Sequence, residues 1–367
     1  GKILEEVDPQ AGWVSSVSIK DGKKEKANPY HMTMPGRFAI QKTLSQIAKA
    51  GGKYAVVEVT SEGVLQHRHR FIDFDTAVFT NLAPEHIEAH GSFEKYKQAK
   101  GLFFKSLNED GQIVVNLDDK HADYFLNFPA KKKIGYGLEE HQVNIEQIKP
   151  ERYQVKKSGL IFSLNNLEFE LNLLGKFNLL NALAALAVTS SYGVNLEVAK
   201  KALEKIKRIN GRMEEVSQGQ AFRVFIDMAH TPDSYQQVFE LAKDLPHQKI
   251  IAVFGAAGGG RDKWKRPEMG KIAARFSDYI ILTNEDPYGE DKKKIVQDIA
   301  EGLNGQVNYE IIMDRREAVK KALEVAEAED IVLVLGKGSE KVMKLKEGSV
   351  SWDDRQVVKE ELAAMKK

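Results

Sequence analysis

The strongest constraint on this chain is a rhythm in which a short β-branched apolar run is followed by an amphipathic stretch with helical spacing. Residues 54–59 and Thr76–Phe79 read as strands, and residues 37–50 and 92–104 read as helices. Apolar runs without alternation suit strands that are covered on both faces, so the rhythm specifies an α/β fold around a buried parallel sheet. Between about residues 136 and 174 the texture changes to alternating segments, 159–163 and 169–173, joined by Asn165-Asn166 as a turn. This stretch reads as a small antiparallel insert. Helical spacing returns over 178–192 and 196–206, and Asn210-Gly211 then punctuates the chain. Strand runs at 222–227, 249–254, 279–283 and 331–335 alternate with further helical stretches, the pattern of a doubly wound, Rossmann-like domain. The expected organisation is a central domain over 1–207 and a C-terminal domain over 208–367.

Composition narrows the function classes. Lys plus Arg total 54 against 53 for Asp plus Glu, a net charge of +1, so no polyanionic partner such as nucleic acid is expected. The chain has no Cys, which removes disulfide frameworks, thiolate metal sites and cysteine nucleophiles, and favours the cytoplasm. No apolar run approaches the roughly 20 residues of a membrane span, so membrane insertion is not expected.

Several motifs sit where open α/β sheets hold their ligands, just past the carboxyl ends of strands. Glu58-Val-Thr-Ser61-Glu62-Gly63 follows the first strand run, and its Glu58 suits a hard cation such as Mg²⁺, although a lone Glu here is more often solvated. The second run leads into Asn81, Glu85, His86 and His90, a grouping better matched to a metal and phosphate site than to a closed zinc site. The bland reading of His86 and His90 is a helix-surface pair four residues apart. Lys97 and Lys100 on the next helix would ordinarily face solvent, as would the basic turn of His67, Arg68, His69 and Arg70. The glycine run at 255–260 lets backbone N–H groups approach an anion, and Arg261, Lys265 and Arg266 beside it favour a carboxylate or phosphate.

These segments resemble, in order along nearly the whole chain, the Mur ligases, particularly those that add the third residue to UDP-N-acetylmuramoyl dipeptide. Phe79-Thr-Asn-Leu-Ala-Pro-Glu-His86-Ile-Glu-Ala-His90-Gly91 and Tyr96-Lys-Gln-Ala-Lys100 carry the resemblance first. It implies that Lys100 is carbamylated and joins Glu58 and His86 around Mg²⁺, with Lys100, His86 and Glu340 acting catalytically. Asn178 and Asn181 in Gly175-Lys-Phe-Asn178-Leu-Leu-Asn181 would approach adenine, although a helix cap is the plainer reading. Arg212, Asp227 and His230 would hold the rest of ATP. Thr33, Ser61, Gln66 and Arg68 would contact the muramoyl peptide, and Arg261, Arg266, Asp286 and Gly336 the incoming amino acid.

The resemblance has three departures, one of them Ser339 in place of the family's His in Gly336-Lys337-Gly338-Ser339-Glu340. Tyr288 replaces the Arg by which diaminopimelate-adding members hold the far carboxylate, and Glu285, Asp286 and Glu290 make the neighbourhood acidic, so lysine is expected over diaminopimelate. No Gly-x-x-x-x-Gly-Lys-[Ser/Thr] phosphate loop occurs, so the chain reads as N-terminally truncated, without the uridine-binding domain, and as inactive alone. The function implied is ATP-dependent amide formation through an acyl phosphate in peptidoglycan precursor synthesis, by a cytoplasmic monomer. Alternatives are a folylpolyglutamate-like or poly-glutamate-forming ligase, or a non-catalytic relative.

Overall fold

A computed structural model describes residues 1–30 and 32–365. By contacts the chain separates into two compact units, Gly1–Ala83 with Ser92–Lys207, and Pro84–Gly91 with Arg208–Lys367.

The first unit holds three sheets rather than the one parallel sheet with an insert that the sequence suggests. Strands β1 (Gly12–Val14), β2 (Ser18–Lys20), β3 (Glu25–Ala27) and β4 (Ala55–Val57) are ordered β3-β2-β1-β4, with only β1 and β4 parallel. Strands β5 (Thr76–Phe79), β6 (Gln112–Asn116), β7 (Lys132–Tyr136) and β8 (Glu146–Ile148) form a wholly parallel sheet in sequence order. The antiparallel insert consists of β9 (Arg152–Lys156), β10 (Gly159–Leu164) and β11 (Leu167–Leu171). Its β10–β11 turn places Asn165 at φ 50° and Asn166 at φ 61°, the two left-handed residues that a two-residue hairpin needs to match strand twist. Across this hairpin Phe162 stacks on Phe169 with centroids 4.6 Å apart, inside a core that includes Leu179, Leu183 and Leu186 of the Lys176–Ser191 helix. A second core, around Phe79, Phe104 and Phe125, seats the Phe93–Lys105 helix on the parallel sheet.

In the second unit β12 (Glu214–Glu215), β13 (Arg223–Asp227), β14 (Ile250–Phe254), β15 (Tyr279–Leu282), β16 (Asn308–Ile311) and β17 (Ile331–Leu335) form one sheet, ordered β12-β13-β17-β14-β15-β16. Every pairing is parallel except β12 with β13. Strand residues alternate between two covers, which is why the runs lack a polar face. Val224, Ile226, Val253 and Val334 meet Ala318, Val319, Val357 and Val358 of the Arg315–Val325 and Asp354–Ala364 helices. On the opposite face Phe254 meets Tyr235 of the Pro232–Asp244 helix edge-on at 5.2 Å. A hairpin of β18 (Val342–Leu345) and β19 (Gly348–Ser351) follows the last sheet strand.

The segment Pro84–Gly91 groups with the second unit for a local reason. Asp262 accepts hydrogen bonds from the backbone N–H groups of Ile87 (3.1 Å) and Glu88 (2.8 Å), and Glu88 accepts one from Lys263 N (2.7 Å).

Candidate active site

In the first unit the polar residues lie just beyond strand ends. Glu58 follows β4, and its Oε2 accepts hydrogen bonds from Ser16 N (2.7 Å) and Ser16 Oγ (2.9 Å), which orient the carboxylate. Thr60 then caps the Ser61–Leu65 helix by accepting from Gly63 N at 3.1 Å, which leaves Ser61 buried in its first turn. The turn after this helix returns Arg68 toward the Thr33 loop, where its guanidinium donates to the Met34 carbonyl and to Gln66 Oε1. Thr33, Gln66 and Arg68 are thus parts of one neighbourhood. Lys100 stands on the Phe93–Lys105 helix with Nζ 5.3 Å from the Tyr96 ring centroid. Asn178 lies inside the Lys176–Ser191 helix, whose N-cap is Gly175, so the cap reading of Asn178 does not hold. Its Nδ2 donates to Leu174 O (2.8 Å), and its Oδ1 accepts from Asn181 Nδ2 (3.3 Å).

In the second unit Glu85 joins two residues that the sequence reading assigns to separate tasks. Its Oε1 lies 3.1 Å from His230 Nε2 and 3.5 Å from His86 Nε2. His230 Nδ1 in turn lies 2.8 Å from Met228 O, so both its ring nitrogens face oxygen atoms. Burial alone would raise the Glu85 pKa, but the His230 hydrogen bond and the charges of His230, His86 and Lys265 together hold it well below the usual carboxylate range. Sequence spacing could not reveal this pairing, because Glu85 and His230 are 145 residues apart. His86 and His90 also do not form a pair within one helix: His86 sits at φ 56° ahead of the short Ile87–His90 helix, and the two rings are 6.4 Å apart.

Asp227, at the end of β13, is largely committed to the backbone, accepting from Met213 N and Ala229 N at 2.7 Å each. Burial pushes its pKa up against the opposing pull of Arg212 and these two N–H groups. The turn beside it needs Gly211, at φ +65°, because a Cβ there would meet Ser339 N at 2.1 Å.

The residues expected to meet an amino acid divide into two sets. Lys337, fully buried in Gly336-Lys337-Gly338, donates to Asp286 Oδ1 (2.7 Å) and to Glu340 Oε2, so these two acids belong to one cluster through a lysine that the sequence reading passed over. Gly336 takes φ +106°, and a Cβ at that position would lie 2.3 Å from Glu285 Oε2. Arg261 is exposed on the glycine-rich loop. Arg266 is a correction. It is 0% exposed, and its guanidinium donates to both carboxylate oxygens of Glu290 (2.8 and 2.9 Å) and to Asp298 (2.9 Å), so it ties the loop to the Lys292–Leu303 helix and does not face a substrate. The acidic neighbourhood of Tyr288 is corrected for the same reason. Glu290 is paired with Arg266, and Asp286 shares Lys337 with Glu340, so these acids are engaged within the fold rather than free.

Among the described residues no three His, Asp or Glu side chains are grouped to hold a metal by themselves. Mg²⁺ does not require such a cage, since one or two carboxylates, phosphates and water suffice, and the anchored Glu58 carboxylate fits that donor set. Among the described residues no helix is long and apolar enough to cross a membrane.

Comparison with known proteins agrees along the chain. The Mur ligase middle domain model matches residues 3–189, and the Mur ligase, glutamate ligase domain, model matches residues 211–338. The UDP-N-acetylmuramoyl-L-alanyl-D-glutamate–2,6-diaminopimelate ligase of Halalkalibacterium halodurans is 35% identical over 366 residues, covering 98% of this chain and 74% of that protein. The UDP-N-acetylmuramyl-tripeptide synthetase of Borreliella afzelii is 36% identical over 379 residues, covering 100% and 74%. A solved UDP-N-acetylmuramoyl-L-alanyl-D-glutamate–2,6-diaminopimelate ligase superposes with a TM-score of 0.63 at 30% identity, over 100% of this chain and 76% of that one. With both domain models matched and relatives of this identity aligned over nearly its whole length, the chain belongs to the Mur ligase family, whose members are ATP-dependent ligases.

Proposed function

We propose that this chain supplies the ligase machinery that joins an amino acid to a UDP-muramoyl peptide, in the cytoplasm and as a monomer. The observation that carries this reading is the full-length match to ligases acting on UDP-N-acetylmuramoyl-L-alanyl-D-glutamate. The reaction is amide formation in two steps. A peptide carboxylate oxygen attacks the γ-phosphorus of ATP, releasing ADP and forming an acyl phosphate. The amino group of the incoming amino acid then attacks the acyl carbon, phosphate leaves, and the amine gives up a proton.

The parts of this chain fit those steps separately. Arg68, fixed by Met34 O and Gln66, offers a positioned cation to the muramoyl peptide beside Thr33 and Ser61. Glu340, held by Lys337, is a carboxylate suited to orient an ammonium group, with Asp286, Gly336 and Arg261 as its companions. His230 and Arg212 offer positive charge to nucleotide phosphates, and Asp227 sets the turn that presents them. Asn178 and Asn181 offer amide groups for a base. Mg²⁺ held by Glu58 and by a carbamylated Lys100 would neutralise phosphate charge.

Two measurements test the reading. Calorimetric titration with UDP-N-acetylmuramoyl dipeptide should show binding that Arg68→Ala weakens by about tenfold or more, the loss of one charge-assisted contact. Binding unchanged in that variant refutes the substrate assignment. The sequence contains no phosphate loop, so ATP binding to this chain should be weaker than micromolar, and calorimetry showing micromolar affinity would contradict the inference drawn from the missing loop.

A further inference from the structure

A cleft of about 400 Å³ in the first unit serves no step of the proposed reaction. It opens where the Ser61–Leu65 helix ends and where the Phe93–Lys105 helix ends, and its wall is completed by the turn at residues 67–73. Asp73 lies just before β5, so the cleft is at the amino end of that strand, whereas Asn81 lies past its carboxyl end.

Three features of this cleft are independent of one another. Its lining combines apolar surface from Val64, Leu65 and Leu102 with cationic side chains of Arg70 and Lys105, against the single acid Asp73. Phe71 is 86% exposed and held at φ +65°, a conformation that is unfavourable for a bulky residue and that persists only where its surroundings impose it. The Phe71 carbonyl is pinned by Gln41 Nε2 at 2.9 Å, so the ring is presented rather than buried. His69, only 8% exposed, packs edge-on to Phe103, and its Nδ1 has no hydrogen-bond partner among the described residues.

We propose that this cleft binds a small organic anion, an aromatic ring carrying a carboxylate or phosphate. The ring rests on Phe71, Leu65 and Leu102. The anionic group meets Arg70 and Lys105, and the His69 ring forms part of the wall. Burial, followed by the charges of His67 and Arg70, lowers the His69 pKa, so it enters as a neutral ring with one donor and one acceptor. Among the described residues neither Arg70 nor Lys105 forms an ion pair, and exposed apolar side chains beside them suit a ligand that has both characters.

The test is NMR of the 367-residue chain with labelled histidines, titrated with phenyl phosphate, benzoate and inorganic phosphate in parallel. The His69 and His67 ring signals should shift saturably with phenyl phosphate or benzoate in the millimolar range or below, while His141 and His247 stay fixed as controls. Arg70→Ala with Lys105→Ala should weaken binding by about tenfold or more. Phe71→Gly, which relieves the backbone conformation while removing the ring, should leave folding intact and weaken binding also. The proposal is overturned if His69 shows no saturable shift, if inorganic phosphate binds as tightly as its phenyl ester, or if the doubly substituted chain binds as well as the original.

Discussion

The sharpest stability prediction concerns Arg315 and Asp354, a wholly buried ion pair beneath the second sheet. Both residues are essentially unexposed, with Arg315 Nε 2.8 Å from Asp354 Oδ1 and Nη2 2.7 Å from Oδ2. Arg315 Nη2 also donates to Leu335 O at 2.9 Å, and Trp352 Nε1 donates to Asp354 Oδ1 at 2.7 Å. Asp354→Ala removes three charge-assisted bonds and leaves a guanidinium without its counter-charge in the interior. Bonds of this kind contribute about 1.5–3 kcal/mol each, but water entering the vacated space offsets part of the loss, so about 3–5 kcal/mol is expected. For a unit of this size that corresponds to a fall in Tm of about 6–20 °C. Urea denaturation followed by circular dichroism should show a lower midpoint at unchanged slope. The double change Arg315→Met with Asp354→Leu should recover most of the loss, because the pair is replaced as a unit and no charge is stranded. A loss below about 1 kcal/mol for Asp354→Ala, or a double variant less stable than the single one, would refute the reasoning.

Two further outcomes follow from local geometry. Asn166→Val should destabilise the antiparallel insert by about 1–2 kcal/mol, since a β-branched residue tolerates φ 61° poorly, while Asn166→Gly should be neutral or stabilising; denaturation midpoints in the reverse order would sink the turn argument. Glu285 is buried with Oε2 unpartnered among the described residues, and burial, opposed by Arg315 and Lys337, raises its pKa above the ordinary 4.5. The folded chain therefore holds this proton more tightly than the unfolded one, so its stabilising contribution is complete below 4.5 and is lost as pH rises through the raised value. The stability of Glu285→Gln relative to the original should accordingly climb over that rise, and a difference independent of pH would show that the carboxyl does not titrate there.

What could be read from the sequence was decided by the range of the interactions involved. Strands such as Ile331–Leu335 announce themselves because burial on both faces requires uninterrupted apolar residues, and Asn165-Asn166 announces its hairpin because few residues accept two successive positive φ angles. The division of the first unit into separate sheets left no such mark, since strand partnership is not written in any one strand. Charge was the least legible property. Arg261 and Arg266 stand five residues apart on one basic loop, yet one is exposed and the other is fully enclosed by Glu290 and Asp298, partners 24 and 32 residues away. Lys337 likewise neutralises Asp286 across 51 residues. Local charge alone leaves Glu285, Asp286 and Glu290 reading as free acids and favours a cationic amino acid. With those acids paired inside the fold, we propose that discrimination between amino acids involves Arg261, which is exposed, and Tyr288, whose backbone is held at φ 51° by a bond to Lys344 O.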